Sequence, residues 1–375
     1  MQRPEAVFEA IRGQGVDFFT GVPDSLLKDF CAYVTDNAAA DAHVITANEG
    51  NAVALASGHY LATGHPALVY MQNSGIGNAV NPLLSLADAE VYSIPMLLMI
   101  GWRGEPGVKD EPQHVKQGRV MEALLEAMEI PYVVLDADTA DAAGVIAKAC
   151  ELMRERSMPV ALLVRKGTFE KYKLKKDVAT DYPMNREDAV QCVVDLLGDD
   201  DVVISTTGKT SRELYEYRAA RGDGHGSDFL TVGAMGHTSS IAMGVTHGRP
   251  GKRTLCLDGD GSMLMHLGAL AIIGQSGLDN FVHVVINNGA HDSVGGQPTV
   301  GFAIDVPTIA RGCGYRQILT ASSADEVKQA FGKLAGDNGP ALLEIRVNKG
   351  ARDDLGRPKS TPVENRDALM ARLGR

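Results

Sequence analysis

The chain has 375 residues, of which 45% are hydrophobic and 22% are charged. These proportions are ordinary for a globular protein with sizeable cores, so they exclude a fibrous or largely disordered chain. The formal net charge of −11 argues against a nucleic-acid partner, because proteins that bind nucleic acids usually carry a basic stripe.

No segment predicts a membrane span or a secretory signal. The apolar runs are shorter than the roughly 18 residues that a membrane span needs, and the first residues form an amphipathic helical pattern. Five cysteines are scattered without Cys-x-x-Cys spacing, which indicates reduced thiols. We therefore expect a cytoplasmic protein without a membrane partner.

The first half of the chain alternates short apolar runs with helical patterns. This alternation predicts a mainly parallel sheet with helices on both faces. The predicted strands are residues 17–20, 43–47, 67–72, 96–101, 132–135 and 159–164.

Polar residues follow the first two predicted strands. Asp24 and Ser25 lie in the turn Gly-Val-Pro-Asp-Ser-Leu-Leu of residues 21–27, where they either handle a ligand or cap the helix that follows. Glu49 lies in the sequence Asn-Glu-Gly-Asn-Ala of residues 48–52, at the start of a helix rich in small residues. The helix dipole favours a carboxylate in the first turn without any function, so these residues alone favour a structural role for Glu49.

A long polar loop, residues 101–114, follows the fourth predicted strand. It contains Arg103, Lys109 and His114, and such groups can bind a dianion through charge-assisted hydrogen bonds. Spacing alone leaves open a solvated loop. In that alternative, the cations pair with acidic residues of the same segment, Glu105, Asp110 and Glu111.

Segment 169–185 interrupts the alternation. It is polar, carries lysines near its start and contains Pro183, which are features of a linker. The second half then repeats the alternation, so we predict two doubly wound α/β domains, residues 1–168 and 186–375. Their mainly parallel sheets continue with predicted strands at residues 202–205, 229–232, 254–257, 282–287, 316–319 and 341–347.

The turn Leu-Asp-Gly-Asp-Gly-Ser of residues 257–262 follows a predicted strand and precedes a helical pattern at residues 262–275. Its two glycines let a diphosphate approach the backbone, and Asp260 offers the oxygen ligand that magnesium prefers. The next strand brings Asn287 and Asn288 to the same edge of the sheet. Two ordinary turns are the alternative, but the asparagine pair favours a diphosphate held through a metal.

The Gly-Asp-Gly turn and the asparagine pair together resemble the fingerprint of thiamine diphosphate-dependent 2-oxo acid decarboxylases, and the surroundings of Glu49 resemble a second motif of that family. The resemblance implies a pyrimidine-binding and a diphosphate-binding domain, with thiamine diphosphate and Mg²⁺ as cofactors. The linker is too short to hold the third domain of many relatives. Because the family forms its site between subunits, the resemblance also implies a homodimer or larger homo-oligomer.

The resemblance assigns roles residue by residue. Glu49 binds the pyrimidine and activates the cofactor. Asp260, Asn288 and the backbone carbonyl of Ala290 hold magnesium, and the resemblance favours Asn288 over Asn287 as the ligand.

A further motif, residues 232–237, supplies more of the implied cofactor contacts. The backbone carbonyl of Gly233 faces the 4′-amino group, and Met235 supports the bent cofactor, although plain core packing would explain Met235 as well. The remaining residues implied to bind the cofactor are Gly208, Lys209, Thr210, Gly259, Gly261 and Ser262.

Two loop sequences narrow the resemblance to the members of this family that act on 3-phosphonopyruvate: Arg-Gly-Glu-Pro-Gly-Val-Lys-Asp-Glu-Pro-Gln-His at residues 103–114 and Asn-Asn-Gly-Ala-His-Asp-Ser-Val-Gly-Gly-Gln-Pro-Thr at residues 287–299. They imply decarboxylation of this small anionic 2-oxo acid to phosphonoacetaldehyde and CO₂, in phosphonate biosynthesis. Candidates for proton transfer and substrate orientation are Asp24, Ser25, His291 and Asp292. The substrate contacts are expected at Asp24, Ser25, Arg103, Lys109 and His114.

Several alternatives stay open at this point. A sulfopyruvate decarboxylase and a thiamine-dependent carboligase would share the cofactor residues. A nucleotide-binding dehydrogenase is disfavoured because Leu264 stands where the third glycine of G-x-G-x-x-G belongs. A binding subunit without catalysis is disfavoured by Glu49, since holding the cofactor alone would not need this carboxylate.

Overall fold

The computed structural model describes residues 1–176, 179–334 and 339–375. Among these residues the chain forms two units, one from residues 1–176 with 294–297, the other from residues 179–293 with 298–375. Each unit contains a six-stranded sheet in which all neighbouring strands are parallel. The predicted fold class is therefore confirmed, whereas the predicted domain limits stay a prediction.

The strands of the first sheet are β1 Phe18–Gly21, β2 His43–Ile45, β3 Ala67–Gln72, β4 Leu97–Gly101, β5 Tyr132–Leu135 and β6 Val160–Val164. Their order in the sheet is β2-β1-β3-β4-β6-β5. Strands β3, β4 and β6 are almost entirely buried, as expected for parallel strands covered by helices on both faces. The helices are α1 Pro4–Arg12, α2 Lys28–Asn37, α3 Glu49–Thr63, α4 Ile76–Pro82, α5 Pro112–Arg119, α6 Met121–Ala127 and α7 Ala142–Arg156.

Each unit has a hydrophobic cluster on either face of its sheet, because successive side chains of a strand point to opposite faces. In β4, Leu97 and Met99 belong to one cluster, and Leu98 and Ile100 belong to the other.

The strands of the second sheet are β7 Val202–Ser205, β8 Asp228–Leu230, β9 Thr254–Gly259, β10 Phe281–Asn287, β11 Gln317–Ala321 and β12 Ala341–Arg346. Their order in the sheet is β11-β12-β10-β9-β7-β8, which repeats the order of the first sheet when it is read from the other edge. The helices are α8 Arg186–Asp195, α9 Lys209–Arg221, α10 Thr238–His247, α11 Asp260–Met265, α12 Ala269–Gly274, α13 Val306–Cys313, α14 Ala324–Lys333 and α15 Pro362–Arg372.

The strand order creates a topological switch point in each sheet. The chain leaves β1 toward β2 and returns on the other side as β3, and it does the same around β7, β8 and β9. Ligands of open parallel sheets bind beyond the carboxyl ends of the strands at such points. The residues that follow β1, β3, β7 and β9 are therefore the expected site residues.

The structure refines two of the sequence predictions. The helical pattern predicted at residues 262–275 forms two helices: α11 ends at Met265 and α12 begins at Ala269, because the backbone of His266 leaves the helical conformation. In the predicted linker, the first residues pack on the first unit, where Phe169 stacks on Phe30 at 5.5 Å.

Among the described residues, no helix is long and apolar enough to cross a membrane.

Candidate active site

Glu49 is the first residue of α3, and its carboxylate is buried with 5% of its surface exposed. Oε2 accepts a hydrogen bond from Nδ2 of Asn78 at 2.8 Å. Gly75 packs so closely that a Cβ atom on it would lie 2.3 Å from Oε1. A carboxylate that only served the helix dipole would not need this enclosure, so the contacts favour a functional role.

Asp24 lies at the switch point of the first sheet and is completely buried. Its Oδ2 accepts the backbone N–H groups of Leu26 at 2.9 Å and Leu27 at 3.3 Å, and its Oδ1 accepts from Nε2 of Gln72, the last residue of β3. Burial raises the pKa of Asp24, although these hydrogen bonds act in the opposite direction. Asp24 thus fixes the turn before α2.

Arg103 joins Ser25 to the polar loop after β4. Its Nη1 donates to Oγ of Ser25 at 2.7 Å, and its Nε and Nη2 donate to both carboxylate oxygens of Asp110. Asn73 fixes the backbone of Arg103 through hydrogen bonds of 2.8 and 3.1 Å. Burial disfavours charge on Asp110, but the hydrogen bond from Arg103 lowers the pKa of this carboxyl group. The structure therefore unites Asp24, Ser25 and Arg103, with Asp110 as the counter-charge.

The other residues predicted in this loop lie in different surroundings. His114 is buried, and burial, followed by the charge of Arg103, lowers its pKa to about 4, so it is neutral at pH 7. Among the described residues, its Nδ1 has no hydrogen-bond partner. Lys109 is exposed. Glu105 pairs with Arg165 at 2.8 Å, so part of the loop's charge is balanced as in the alternative interpretation.

The Gly-Asp-Gly turn lies at the switch point of the second sheet. Asp260 is the first residue of α11 and is only 2% exposed. Oδ2 accepts the hydroxyl group of Thr299, and the carboxylate also accepts a backbone hydrogen bond from Asn288. Burial raises the pKa of Asp260 to about 6. Next to it, Oγ of Ser262 accepts from the hydroxyl of Thr206, the residue after β7, at 3.0 Å.

The two asparagines that follow have different surroundings. Asn287 is fully buried, and its Nδ2 donates to the carbonyl of Gly301 at 2.7 Å and to Glu344 at 2.8 Å. Its Oδ1 accepts the N–H of Gly289. Asn288 has its Oδ1 bonded only to the N–H of Ala290 at 3.2 Å among the described residues. The Oδ1 atom of each asparagine thus accepts one backbone N–H, and Asn288 as the metal ligand stays a prediction.

Met235 and His291 lie over the Gly-Asp-Gly turn. A Cβ atom on Gly261 would lie 3.2 Å from the ring of His291 and 3.5 Å from Cε of Met235. Burial lowers the pKa of His291 to about 4, which keeps the ring neutral at pH 7. Between Gly233 and Met235, Ala234 has a φ of 51°, a strained conformation for a residue with a Cβ. Such strain is found at ligand-binding sites, and it fits the role predicted for this segment.

The N-terminus of α9 adds a place for an anion. Its N-cap, Gly208, has a φ of 98° and no side chain that caps the first turn. The first N–H groups of a helix are then available to an anion. Lys209 lies beside them with Nζ 4.0 Å from Oδ1 of Asp292, and Thr210 is buried. A Cβ atom on Gly208 would lie 2.8 Å from Oγ of Ser293, so this turn has room only for glycine.

Asp292 is held by cations of the same unit. Arg186 donates to its Oδ2 at 2.6 Å. Burial disfavours the charged form, but Arg186 and then Lys209 lower the pKa of Asp292 below its usual range. The structure therefore places Asp292 in an ion-pair network.

These residues fit the predicted cofactor. The predicted metal ligands Asp260, Asn288 and the carbonyl of Ala290 offer only oxygen atoms, which is the donor set that Mg²⁺ prefers. A Cβ atom on Gly208 would lie 2.8 Å from Oγ of Ser293, and one on Gly261 would lie 3.2 Å from the ring of His291, so both turns are too tight for a side chain. The donor atoms and the first turn of α9 therefore fit a diphosphate and its metal, and the roles of these residues and of Glu49 stay predictions.

A second group of potential metal ligands lies inside the second sheet. Cys256, Asp258 and His283 bring ligand atoms within 4.8 Å of one another. Thiol sulfur and imidazole nitrogen suit softer metals, whereas Mg²⁺ prefers oxygen ligands. This group therefore does not compete with Asp260 for the predicted metal.

Comparisons with known proteins identify the class and the family. Residues 1–126 match the N-terminal TPP binding domain of thiamine pyrophosphate enzymes, and residues 206–345 match their C-terminal TPP binding domain. Fold, site and domains define a thiamine diphosphate-dependent enzyme. The chain belongs to the phosphonopyruvate decarboxylase family, a group of carbon–carbon lyases within that class.

Three relatives show the extent of the similarity. Phosphonopyruvate decarboxylase of Streptomyces viridochromogenes is 36% identical, and the match covers 94% of this chain and 90% of the relative. Phosphonopyruvate decarboxylase of Streptomyces hygroscopicus is 35% identical with the same coverage. Sulfopyruvate decarboxylase of Methanosarcina acetivorans is 28% identical, over 92% of this chain and 91% of the relative.

Sequence reasoning missed several residues that the structure brings to these sites. Gln72 and Asn73 had a usable signal, because they begin a polar run at the carboxyl end of a predicted strand. Thr206 had the same signal after β7. Arg186 had none, since its partner Asp292 lies 106 positions away.

Proposed function

We propose that the chain decarboxylates 3-phosphonopyruvate to phosphonoacetaldehyde and CO₂ with thiamine diphosphate and Mg²⁺. The observation that supports this choice of substrate is the 36% identity to a phosphonopyruvate decarboxylase over 94% of the chain. In the reaction, the bond between the keto carbon and the carboxylate breaks, and a proton takes the place of CO₂. The bound coenzyme supplies the electron sink that this bond cleavage requires.

The residues of the second unit would hold the coenzyme. Asp260, Oδ1 of Asn288 and the carbonyl of Ala290 are proposed to bind Mg²⁺, and the N-terminus of α9 with Lys209 is proposed to bind the diphosphate. Met235 would support the coenzyme beside the Gly-Asp-Gly turn. The support for these roles is the all-oxygen donor set and the close packing around the glycines.

Glu49 is proposed to exchange a proton with the pyrimidine ring. Its carboxylate is enclosed by Asn78 and Gly75, which hold it in one position. A fixed position suits general acid–base chemistry, because proton transfer depends on hydrogen-bond geometry before it depends on pKa.

The cluster of Asp24, Ser25 and Arg103 is proposed to handle the substrate. Arg103 offers a guanidinium group, which binds phosphonates through charge-assisted hydrogen bonds. Asp24 is proposed to hold the proton that replaces CO₂, because burial raises the pKa of its carboxyl group. His114 is neutral, so it is proposed to donate or accept a hydrogen bond without adding charge.

Sulfopyruvate is the second candidate substrate, favoured by the 28% identity to a sulfopyruvate decarboxylase over 92% of the chain. The test is CO₂ release from 3-phosphonopyruvate, sulfopyruvate and pyruvate, each with and without Mg²⁺. We expect the highest kcat/KM with 3-phosphonopyruvate and no turnover without metal. A higher kcat/KM with sulfopyruvate would contradict the phosphonate assignment, and a hydroxy-ketone product would indicate a carboligase instead.

Two further proposals rest on the family. We propose that the protein forms a homodimer or a larger homo-oligomer, which sedimentation of the purified chain would test. A cytoplasmic location also stays a prediction.

A further inference from the structure

Asp292 lies in a buried polar network two residues beyond Ala290. Its Oδ2 accepts hydrogen bonds from Nη1 of Arg186 at 2.6 Å and from the backbone N–H of Gly350 at 3.0 Å. On its other side, Nζ of Lys209 lies 4.0 Å from Oδ1. The side chain is therefore fixed by contacts from several parts of the second unit.

Arg186 is anchored before it reaches Asp292. It is the first residue of α8, and its side chain is only 6% exposed. Its Nε and Nη2 donate to both carboxylate oxygens of Glu213 on α9, at 2.9 and 2.8 Å. A guanidinium presents its donors in a rigid fork, so this pair fixes the direction of the remaining Nη1. Arg186 thereby ties the position of Asp292 to α8 and α9.

Asp292 in turn orients the side chain of Asn288. Nδ2 of Asn288 donates to Oδ2 of Asp292 at 3.3 Å, which turns the amide nitrogen toward Asp292 and leaves Oδ1 on the other side. The orientation matters because Mg²⁺ binds the amide oxygen and not the nitrogen. Partners that orient metal ligands in this way are worth about 10- to 100-fold in metal affinity.

We infer that Arg186 and Asp292 are positioning residues that orient Asn288 toward the metal. The inference rests on the proposed function, in which Asn288 binds Mg²⁺. It gives Asp292 a role different from proton transfer: its Oδ2 accepts hydrogen bonds from Arg186, Gly350 and Asn288 and thereby orients Asn288.

The test is Mg²⁺ binding in the presence of thiamine diphosphate, measured by calorimetry on the full chain. Asp292→Ala removes the carboxylate, yet Arg186 keeps its pair with Glu213, so no buried guanidinium is left without a counter-charge. We expect the Kd for Mg²⁺ to rise by about 10- to 100-fold. Turnover at saturating Mg²⁺ should return close to that of the unchanged protein, because only the metal ligand is misplaced.

Asp228→Ala is the matched control. Asp228 is a buried carboxylate that accepts two hydrogen bonds from Arg218, and Arg218 retains Asp223 at 3.6 Å when Asp228 is removed. Asp228 is the first residue of β8, at the amino end of that strand and not at the carboxyl ends where the site lies. We expect this variant to leave the Kd for Mg²⁺ unchanged.

Asp292→Asn keeps the shape and one acceptor oxygen, and it decides the question if Asp292→Ala does not fold. We expect it to weaken Mg²⁺ binding in the same direction, with turnover restored by excess Mg²⁺. An unchanged Kd together with lower turnover at saturating Mg²⁺ would overturn the inference and assign Asp292 to the chemistry.

The experiment separates this inference from the proposed function. If the unchanged protein binds Mg²⁺ with the coenzyme and neither Asp292 variant weakens that binding, the positioning role alone is overturned. If the unchanged protein binds no Mg²⁺, the proposed metal site fails and the positioning role fails with it.

Discussion

Gly75→Ala adds a single methyl group against the carboxylate of Glu49. The backbone of Gly75 has a φ of −74° and a ψ of −16°, which alanine adopts without strain. The new Cβ atom would lie 2.3 Å from Oε1, 2.5 Å from Cδ and 2.6 Å from Cγ of Glu49. The substitution therefore tests the position of one side chain and leaves the main chain as it is.

The size of the effect follows from these distances. An ordinary contact of a Cβ atom begins at 3.4 Å, so the Glu49 carboxylate must move by about 1 Å, a displacement that can cost about 100-fold in rate. We expect a fall in kcat of that order if Glu49 exchanges a proton with the coenzyme. The clash with the buried side chain should lower the free energy of unfolding by about 1 to 3 kcal/mol, part of which the better helix propensity of alanine offsets.

The assay is CO₂ release from 3-phosphonopyruvate at saturating cofactors. Gly77→Ala is the matched control, because a Cβ atom on Gly77 would meet nothing within 4 Å. The double variant of Gly75→Ala with Glu49→Ala should be no slower than Glu49→Ala alone, since both changes act on the same group. A Gly75→Ala protein as active as Gly77→Ala would refute the role assigned to Glu49.

Three further predictions concern charge and pH. Arg103→Met should raise KM for 3-phosphonopyruvate at least tenfold more than KM for pyruvate, because a hydrogen bond to a charged group is worth about 1.5 to 3 kcal/mol; equal increases would contradict substrate binding by this residue. Asp260→Ala should abolish Mg²⁺-dependent coenzyme binding in a calorimetric titration, and tight binding without metal would count against the site. Burial, followed by the charge of Lys176, lowers the pKa of His43 from 6.5 to about 4. The folded protein holds His43 in its neutral form, so the contribution of His43 to the free energy of unfolding is fully present above pH 6.5. This contribution is lost as the pH falls toward 4, by up to about 1.4 kcal/mol per pH unit. His43→Gln should reduce the slope of unfolding free energy against pH in that window. If denaturant titrations give the same slope for the variant and the unchanged protein, His43 does not cause this pH dependence.

The sequence was sufficient to predict the strands. Each of the twelve strands that the described residues form was predicted with ends within two residues, because apolar runs of this length bounded by polar turns are typical of buried parallel strands. The helical pattern predicted at residues 262–275 is interrupted for a local reason. Its apolar spacing continues past His266, but the backbone there has a φ of −132° and ends α11.

The sequence places its predicted site residues where strands end, and their roles stay predictions. Asp260, Asn288 and Glu49 all lie just beyond predicted strands, and the structure gives each of them a buried or enclosed position. Burial and partners were not predictable, because they depend on residues that are distant in sequence. Asp24 is a clear example, since its partner Gln72 lies 48 positions away and no spacing rule links them.

The pairing of Arg103 suggests how an anionic substrate would approach it. Arg103 and Asp110 are 16% and 9% exposed, so displacing Asp110 would leave a buried carboxylate without its partner, which is strongly unfavourable. The remaining Nη1 donates to the neutral hydroxyl of Ser25, and losing that bond costs less than losing an ion pair. We therefore expect a phosphonate oxygen to bind at Nη1 and to accept from the Ser25 hydroxyl, while Asp110 keeps the guanidinium in place.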